Sequence, residues 1–426
     1  MTQTDSTSDV AVREPWLRTL FAALASQSRQ AGSEASEDAV VDLASALLID
    51  AQRERATDIH LDPQQSGVQV RFRVDGAVLK AGLIGSERGR RLINQFKTLG
   101  ELDPVATFAP QDARLTYDVE GTPLDLRIAA APCIEGEKLA IRIQSHEEVE
   151  QHLDALGLES KAKQKLSEWL EVMEGLLVVA GPTASGKTTT LYALLQDLKG
   201  RDRSIITIED PVEYRVDDIT QMQVDEEHDF TFAEGIKAML RLDPDYLLVG
   251  ETRDAESARA AIDAAASGRP LFTTLHARDA VGSVTSLRNW DIYDHELAAL
   301  LQVVIGQRLV RKLCPKCREQ QELSDAQRRW LCNNGFTEIE HDWRACGCDD
   351  CNQLGYHGRT GLFEVWRIDE DDAQALLTHS DERAIRERLQ QKDHEFIGVD
   401  AAAKLRKGVT NIQEIRAVGG LVPPSP

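Results

Sequence analysis

Lys187 and Thr188 close the octet Gly181-Pro182-Thr183-Ala184-Ser185-Gly186-Lys187-Thr188, which meets the spacing G-x-x-x-x-G-K-[ST] at every fixed position. The chemistry of that spacing is phosphate capture. Gly181 and Gly186 let the backbone bend so that successive N–H groups converge on phosphate oxygens. Lys187 can reach the β- and γ-phosphates, and the Thr188 hydroxyl can ligate Mg²⁺. Two carboxylate segments follow. The first is Glu209-Asp210-Pro211-Val212-Glu213, where a turn broken by Pro211 is the structural alternative. The second ends Leu248-Val249-Gly250-Glu251-Thr252-Arg253. Acids at the carboxyl end of a parallel strand face the ligand crevice, where they hold Mg²⁺ or orient an attacking water. Arg253 can pair with those acids or with phosphate. His276, in Thr273-Thr274-Leu275-His276-Ala277, is placed to sense a γ-phosphate, with a structural hydrogen bond as its alternative.

A second chemistry lies further on. Cys314-Pro315-Lys316-Cys317 and Cys348-Asp349-Asp350-Cys351 form two C-x-x-C pairs separated by 30 residues. Two such pairs can close a tetrahedral thiolate shell around structural Zn²⁺. A redox dithiol is the rival, but it ordinarily uses one such pair at a helix start. Cys332 and Cys346 are competing ligands, and Cys133 is expected to be a small buried residue.

These groups need elements to hold them. Leu176–Ala180 is a short apolar run that reads as a buried parallel strand. Thr189–Leu198 reads as a helix whose N-terminus meets the anion. Further strand-like runs at 204–208, 246–250 and 271–274 alternate with helical stretches, which predicts an α/β nucleotide-binding core over 161–426. That core includes the cysteine subdomain 312–356 and a charged helical region 370–416. Upstream, 36–50 has helical periodicity, and 68–74, 114–119, 124–129 and 138–143 alternate apolar with polar. Residues 36–145 therefore read as an α+β domain on an antiparallel sheet, residues 1–35 as a flexible tail with a short helix, and 146–160 as a linker.

Composition limits the partners. The 426 residues carry 49 Lys+Arg against 71 Asp+Glu, a net charge of −22. A broad nucleic-acid surface or bare attraction to anionic lipid is disfavoured, although Arg88–Arg91 and Arg308–Lys316 remain local basic spots. No apolar run approaches the ~20 residues of a membrane span, and no secretory leader is recognisable, so a cytoplasmic location is expected.

The stretches GPTASGKTTTLYALL, ITIEDPVEY, LRLDPDYLLVGETRD and TTLHARDA resemble the Walker A, Asp box, Walker B and His box of the secretion ATPase superfamily, specifically the type II secretion and type IV pilus assembly ATPases. ATDIHLDP, VRFRVDGAVL, PQDARL, GQRLVRKLCPKC and GYHGRTGLFEV extend the similarity from about residue 36 to about 415. The resemblance implies a RecA-like P-loop NTPase core preceded by an α+β, PAS-like domain, with a small zinc insert. It implies ATP hydrolysis with Mg²⁺, a homo-hexamer, and work on an inner-membrane platform during pilin assembly or secretion. Glu209 and Glu251 would activate water and bind metal, and His276 would couple nucleotide state to motion. Arg127 or Arg142 would reach the nucleotide from the first domain, the alternative being a salt bridge to Glu135 or Glu137. A DNA uptake motor and a non-hydrolysing adaptor are the rival functions. Ala184 stands where the family has Gly, Ala277-Arg278 where it has Thr-Asn, and Arg269 where it has His. Residues 1–35 are too short for the family's long N-terminal docking module, which leaves platform docking open.

Overall fold

The computed structural model describes residues 15–30, 42–144, 152–199 and 203–419. The chain divides into two compact units, Met1–His146 and Glu147–Pro426.

The first unit runs α1 (Arg18–Gln30), α2 (Leu43–Arg53), β1 (Ala56–Gln64), β2 (Gly67–Val74), β3 (Ala77–Ile84), α3 (Ser86–Leu99), β4 (Gln111–Val119), β5 (Thr122–Cys133) and β6 (Gly136–Gln144). Its strands form one antiparallel sheet in the order β3-β2-β1-β6-β5-β4. Strict alternation sends Ile59, Leu61, Val70, Phe72, Leu126, Ile128, Leu139 and Ile141 to one buried face. Asp42 starts α2 by accepting the Ser45 amide at 2.9 Å, and the expected helical residues 36–41 lie outside the described residues.

The flexible-tail reading of 1–35 needs correcting at 15–30. A 3₁₀ turn and α1 dock there, with Leu17 and Leu20 fully buried. The amides of Thr19 and Leu20, at the helix start, each donate to the buried Asp50 carboxylate at 2.9 Å. Gly82 makes room, since a Cβ there would stand 2.5 Å from Leu17 Cδ1. The rest of that segment lies outside the described residues.

The second unit runs α4 (Ser160–Val172), β7 (Leu176–Ala180), α5 (Lys187–Leu198), β8 (Ile205–Glu209), β9 (Thr220–Gln223), α6 (Phe232–Met239), β10 (Tyr246–Val249), α7 (Ala255–Ala266), β11 (Leu271–Leu275), α8 (Ala280–Asn289), α9 (Asp294–Leu300), β12 (Leu301–Leu313), β13 (Arg318–Glu322), α10 (Asp325–Asn333), β14 (His341–Ala345), β15 (Tyr356–Arg367), α11 (Glu370–Leu377), α12 (Glu382–Gln391), α13 (Ile397–Arg406) and α14 (Ile412–Val418). The main sheet has the order β15-β12-β7-β11-β10-β8-β9, parallel except for β15. β7, β8, β10 and β11 are buried along their whole length because helices cover both faces. The long pair β12/β15 has no counterpart in the sequence reading. Of the expected linker, 146–151 lies outside the described residues. Leu153 and Leu156 pack with Leu191, Leu194 and Leu195 of α5, so that end is part of the second unit's core. Among the described residues no helix is long and apolar enough to cross a membrane.

Candidate nucleotide site and thiolate cluster

Parallel register brings the candidate residues to one edge of the sheet. Ala180 pairs with Leu275, Val249 with Thr273, and Val249 with Ile208. The residues that follow are Gly181, His276, Gly250 and Glu209, so the loop, the histidine and both acids emerge from the carboxyl ends of neighbouring strands, the position where doubly wound sheets bind ligand.

The phosphate loop is shaped by close approaches. A Cβ on Gly181 would meet Ser185 Oγ at 2.3 Å and the Gln307 carbonyl at 2.5 Å. Gly186 adopts φ 87° and caps α5. Ala184 adopts φ 60°, a left-handed conformation that costs a residue with a Cβ. Pro182, Thr183, Ala184 and Thr188 are exposed, whereas Gly181, Ser185 and Lys187 are buried. Ser185 Oγ is buried with no hydrogen-bond partner in the protein. Lys187 Nζ folds back to donate to the carbonyls of Gly181 and Pro182 at 3.0 and 3.2 Å, contacts that phosphate oxygens would replace. Burial pulls the Lys187 ammonium below its ordinary pKa, with the Glu251 carboxylate opposing that shift and Arg308 adding to it.

The two acids occupy different environments. Glu251 is partly open and its Oε1 lies 3.1 Å from His276 Nε2. Its strand end is fixed by Thr274 Oγ1 donating to Gly250 O at 2.8 Å and by the 2.8 Å contact between Thr252 and Thr273 hydroxyls. Glu209 is only 3% exposed. Its carboxylate accepts from Tyr192 Oη at 2.5 Å, Thr207 Oγ1 at 2.7 Å and Gln221 Nε2 at 3.2 Å. Burial raises its pKa against those three hydrogen bonds. The loop, the buried Lys187, the partly open Glu251 and the exposed His276 therefore come together, with Glu209 a buried brace beneath Gly250. Arg253 binds Asp210 at 3.1 Å and Glu226 at 2.9 Å and lies over the Phe232 ring.

Gln307 and Arg308 on β12 were not singled out as site residues. The Gln307 amide accepts from Thr190 Oγ1 of α5 at 2.7 Å, and Arg308 donates to the Gln307 carbonyl at 3.1 Å and to the carbonyl of Arg278. Arg308 is buried, so the expected basic spot at 308–316 does not begin on the surface. The apolar run Val303-Val304-Ile305 beside this dipeptide was the available signal.

In the first unit, Glu137 is held by Lys97 at 2.7 and 2.9 Å, Glu135 accepts from Gln65 at 3.2 Å, and Arg142 pairs with Asp58 at 3.3 Å. Arg127 stands in register between Arg114 and Arg142.

The sulfur atoms of Cys314, Cys317, Cys348 and Cys351 lie within 4.8 Å of one another. Three of the separations are 3.7–3.8 Å. A tetrahedral Zn–S₄ centre with bonds near 2.3 Å has edges of about 3.8 Å, so the donor set fits Zn²⁺. The amides of Cys348 and Gly355 both donate to Cys351 Sγ at 3.2 Å, the kind of support that orients metal ligands. The cluster lies at the neck of the excursion between β12 and β15, next to the terminal pair Leu313 and Tyr356. Cys332 and Cys346 are exposed and outside it. Cys133 is also exposed, at the end of β5, because the hairpin tip projects past the buried face; the expectation of burial fails there.

A family model described as "Type II/IV secretion system protein" matches residues 33–417. The type II secretion system protein E of Aeromonas hydrophila is 36% identical over 401 residues, spanning 93% of this chain and 80% of that protein. The type II secretion system ATPase E of Vibrio cholerae is 37% identical over 388 residues, spanning 90% and 76%. Among solved structures, the Legionella pneumophila ATPase DotB superposes with a TM-score of 0.66 at 19% identity, covering 90% of this chain and 97% of that one.

Proposed function

The chain belongs to the type II/IV secretion system protein family, and from that premise we propose that it is an ATP-hydrolysing motor of a type II secretion or type IV pilus assembly machine. The observation that carries the reading is the convergence of Lys187, Glu251 and His276 beside the phosphate loop. Loop amides and Lys187 bind the triphosphate. The hard oxygen donors Thr188 and Glu251 suit Mg²⁺, which when bound neutralises phosphate charge. Glu251 orients a water whose oxygen bonds to the γ-phosphorus as the bridging P–O bond to the β-phosphate breaks. ADP and inorganic phosphate leave, and the water's proton passes to solvent through Glu251. His276 reports the change at Glu251 through their 3.1 Å contact. Glu209 positions rather than reacts, since its oxygens are engaged. The family resemblance is what supports a phosphate-directed role for Arg127 or Arg142.

We assign Zn²⁺ to the four thiolates as a structural centre, with no open position for catalysis. A ring of six copies, cytoplasmic and held at the inner membrane by platform proteins, completes the reading. Steady-state phosphate release tests it. Wild type should turn over, and Lys187→Ala and Glu251→Gln should each lose most of that rate. Equal, near-zero release by all three would leave a nucleotide-gated adaptor instead.

A further inference from the structure

The start of α8 carries a buried ionic arrangement that the hydrolytic reading does not use. Asp279 is 2% exposed and caps α8 by accepting the Gly282 amide at 2.9 Å. Its two oxygens also take Arg386 Nη2 of α12 at 2.8 and 2.9 Å. The other terminal nitrogen, Arg386 Nη1, is buried without a partner, and so is Glu364 Oε2 on β15. Glu364 is wholly buried and sits opposite Gly306 in the β12/β15 pair. A Cβ on Gly306 would lie 3.1 Å from the Ala280 amide and 3.5 Å from Glu364 Oε2. The orphaned oxygen is therefore beside the residue that follows Asp279. Glu364 also acts through space on the Arg386 charge.

A buried donor atom and a buried acceptor atom of opposite charge, each without a partner, are costly. Such atoms call for an explanation, and an arrangement that pairs them with each other supplies one. Arg308 holds the loop from its other side through the Arg278 carbonyl. Glu382 accepts from Arg386, Arg278 and Thr285, and His394 Nε2 lies 3.3 Å from Glu364 Oε1. We propose that Arg386 is a positioning residue that exchanges between Asp279 and Glu364, and that this exchange sets the position of the loop carrying His276. Paired with Asp279 it ties α12 to that loop. Paired with Glu364 it ties α12 to the sheet and frees the loop to move with nucleotide state, giving an element with two discrete states.

The inference rests on the hydrolytic reading, and the experiment separates the two. Phosphate release (kcat and KM), affinity for a non-hydrolysed ATP analogue, and melting temperature are measured for wild type, Glu364→Gln, Arg386→Met and Arg386→Lys. Glu364→Gln keeps the shape, lets the amide oxygen retain the His394 contact and removes a buried charge whose Oε2 has no partner, so it should melt no lower than wild type. A purely structural Glu364 therefore leaves kcat unchanged. Exchange requires kcat to fall by about fivefold or more while analogue affinity holds. Arg386→Met should match that loss, and Arg386→Lys should recover part of it. A Glu364→Gln protein with wild-type kcat overturns the exchange alone; a wild type without turnover overturns the hydrolytic reading.

Discussion

Ala184 offers a quantitative test of how the phosphate loop is built. Its φ of 60° puts a side chain in the left-handed region, at a cost of roughly 1–2 kcal/mol for an L-residue. Glycine avoids that cost but gains freedom in the unfolded chain, which offsets about 0.4–1 kcal/mol. Ala184→Gly should thus stabilise the second unit by roughly 0.5–1 kcal/mol, a rise in melting temperature of about 1–4 °C for a domain of this size. The assay is thermal unfolding without nucleotide. Ala326→Gly, at an exposed position in α10, is the control and should lower stability by ~1 kcal/mol, the ordinary helix penalty. Ala184→Val should also be destabilising, since a β-branched residue at positive φ is a genuine outlier. If Ala184→Gly falls as Ala326→Gly does, the loop is not strained at this residue.

The thiolate cluster should bind one Zn²⁺ per chain by metal analysis. Cys348→Ser should lose it and Cys346→Ser should keep it; the reverse pattern would refute the ligand set. Lys97→Met strands Glu137 in the interior and should cost the first unit about 3–5 kcal/mol in denaturant unfolding, most of it regained by adding Glu137→Leu; strictly additive losses would refute the pairing. Burial holds the folded-state pKa of Glu209 above its ordinary 4.5, so between those values the folded state binds more protons than the unfolded one, and stability falls as pH rises through that window. The stability of wild type relative to Glu209→Gln should fall as pH rises from about 4.5 toward neutral; a difference independent of pH would sink this account.

Much of the site was legible because its signals are local. The phosphate loop, the strand before it and the helix after it lie within 176–198 and carry their own spacing. The paired cysteines were equally plain, since ligand geometry is written in C-x-x-C. Other features depend on register between distant segments. Nothing near Glu209 announces that Tyr192 and Gln221 will enclose it, because those contacts arise from α5 and β9 packing around the end of β8. Gln307 and Arg308 were hidden in the same way: a glutamine and an arginine beside an apolar run look like surface until β12 is paired on both sides. The helix at 18–30 was underestimated because its docking depends on the gap left by Gly82 and on Asp50, neither of which is near it in sequence.

The first unit carries an arrangement that folding alone would not favour. Arg114 pairs with Arg127, Arg127 with Arg142, Arg142 with Asp58, and Asp58 with Arg73 across five adjacent strands. Like charges directly opposite one another destabilise a sheet. Asp58 relieves one end of the row, giving one oxygen to Arg73 and the other to Arg142, both at 3.3 Å. At about 4.8 Å per strand, Arg114, Arg127 and Arg142 stand in a row about 10 Å long on the sheet's polar face, with Arg142 carrying the Asp58 bond. In a chain with a net charge of −22, such a row is a local reversal of sign.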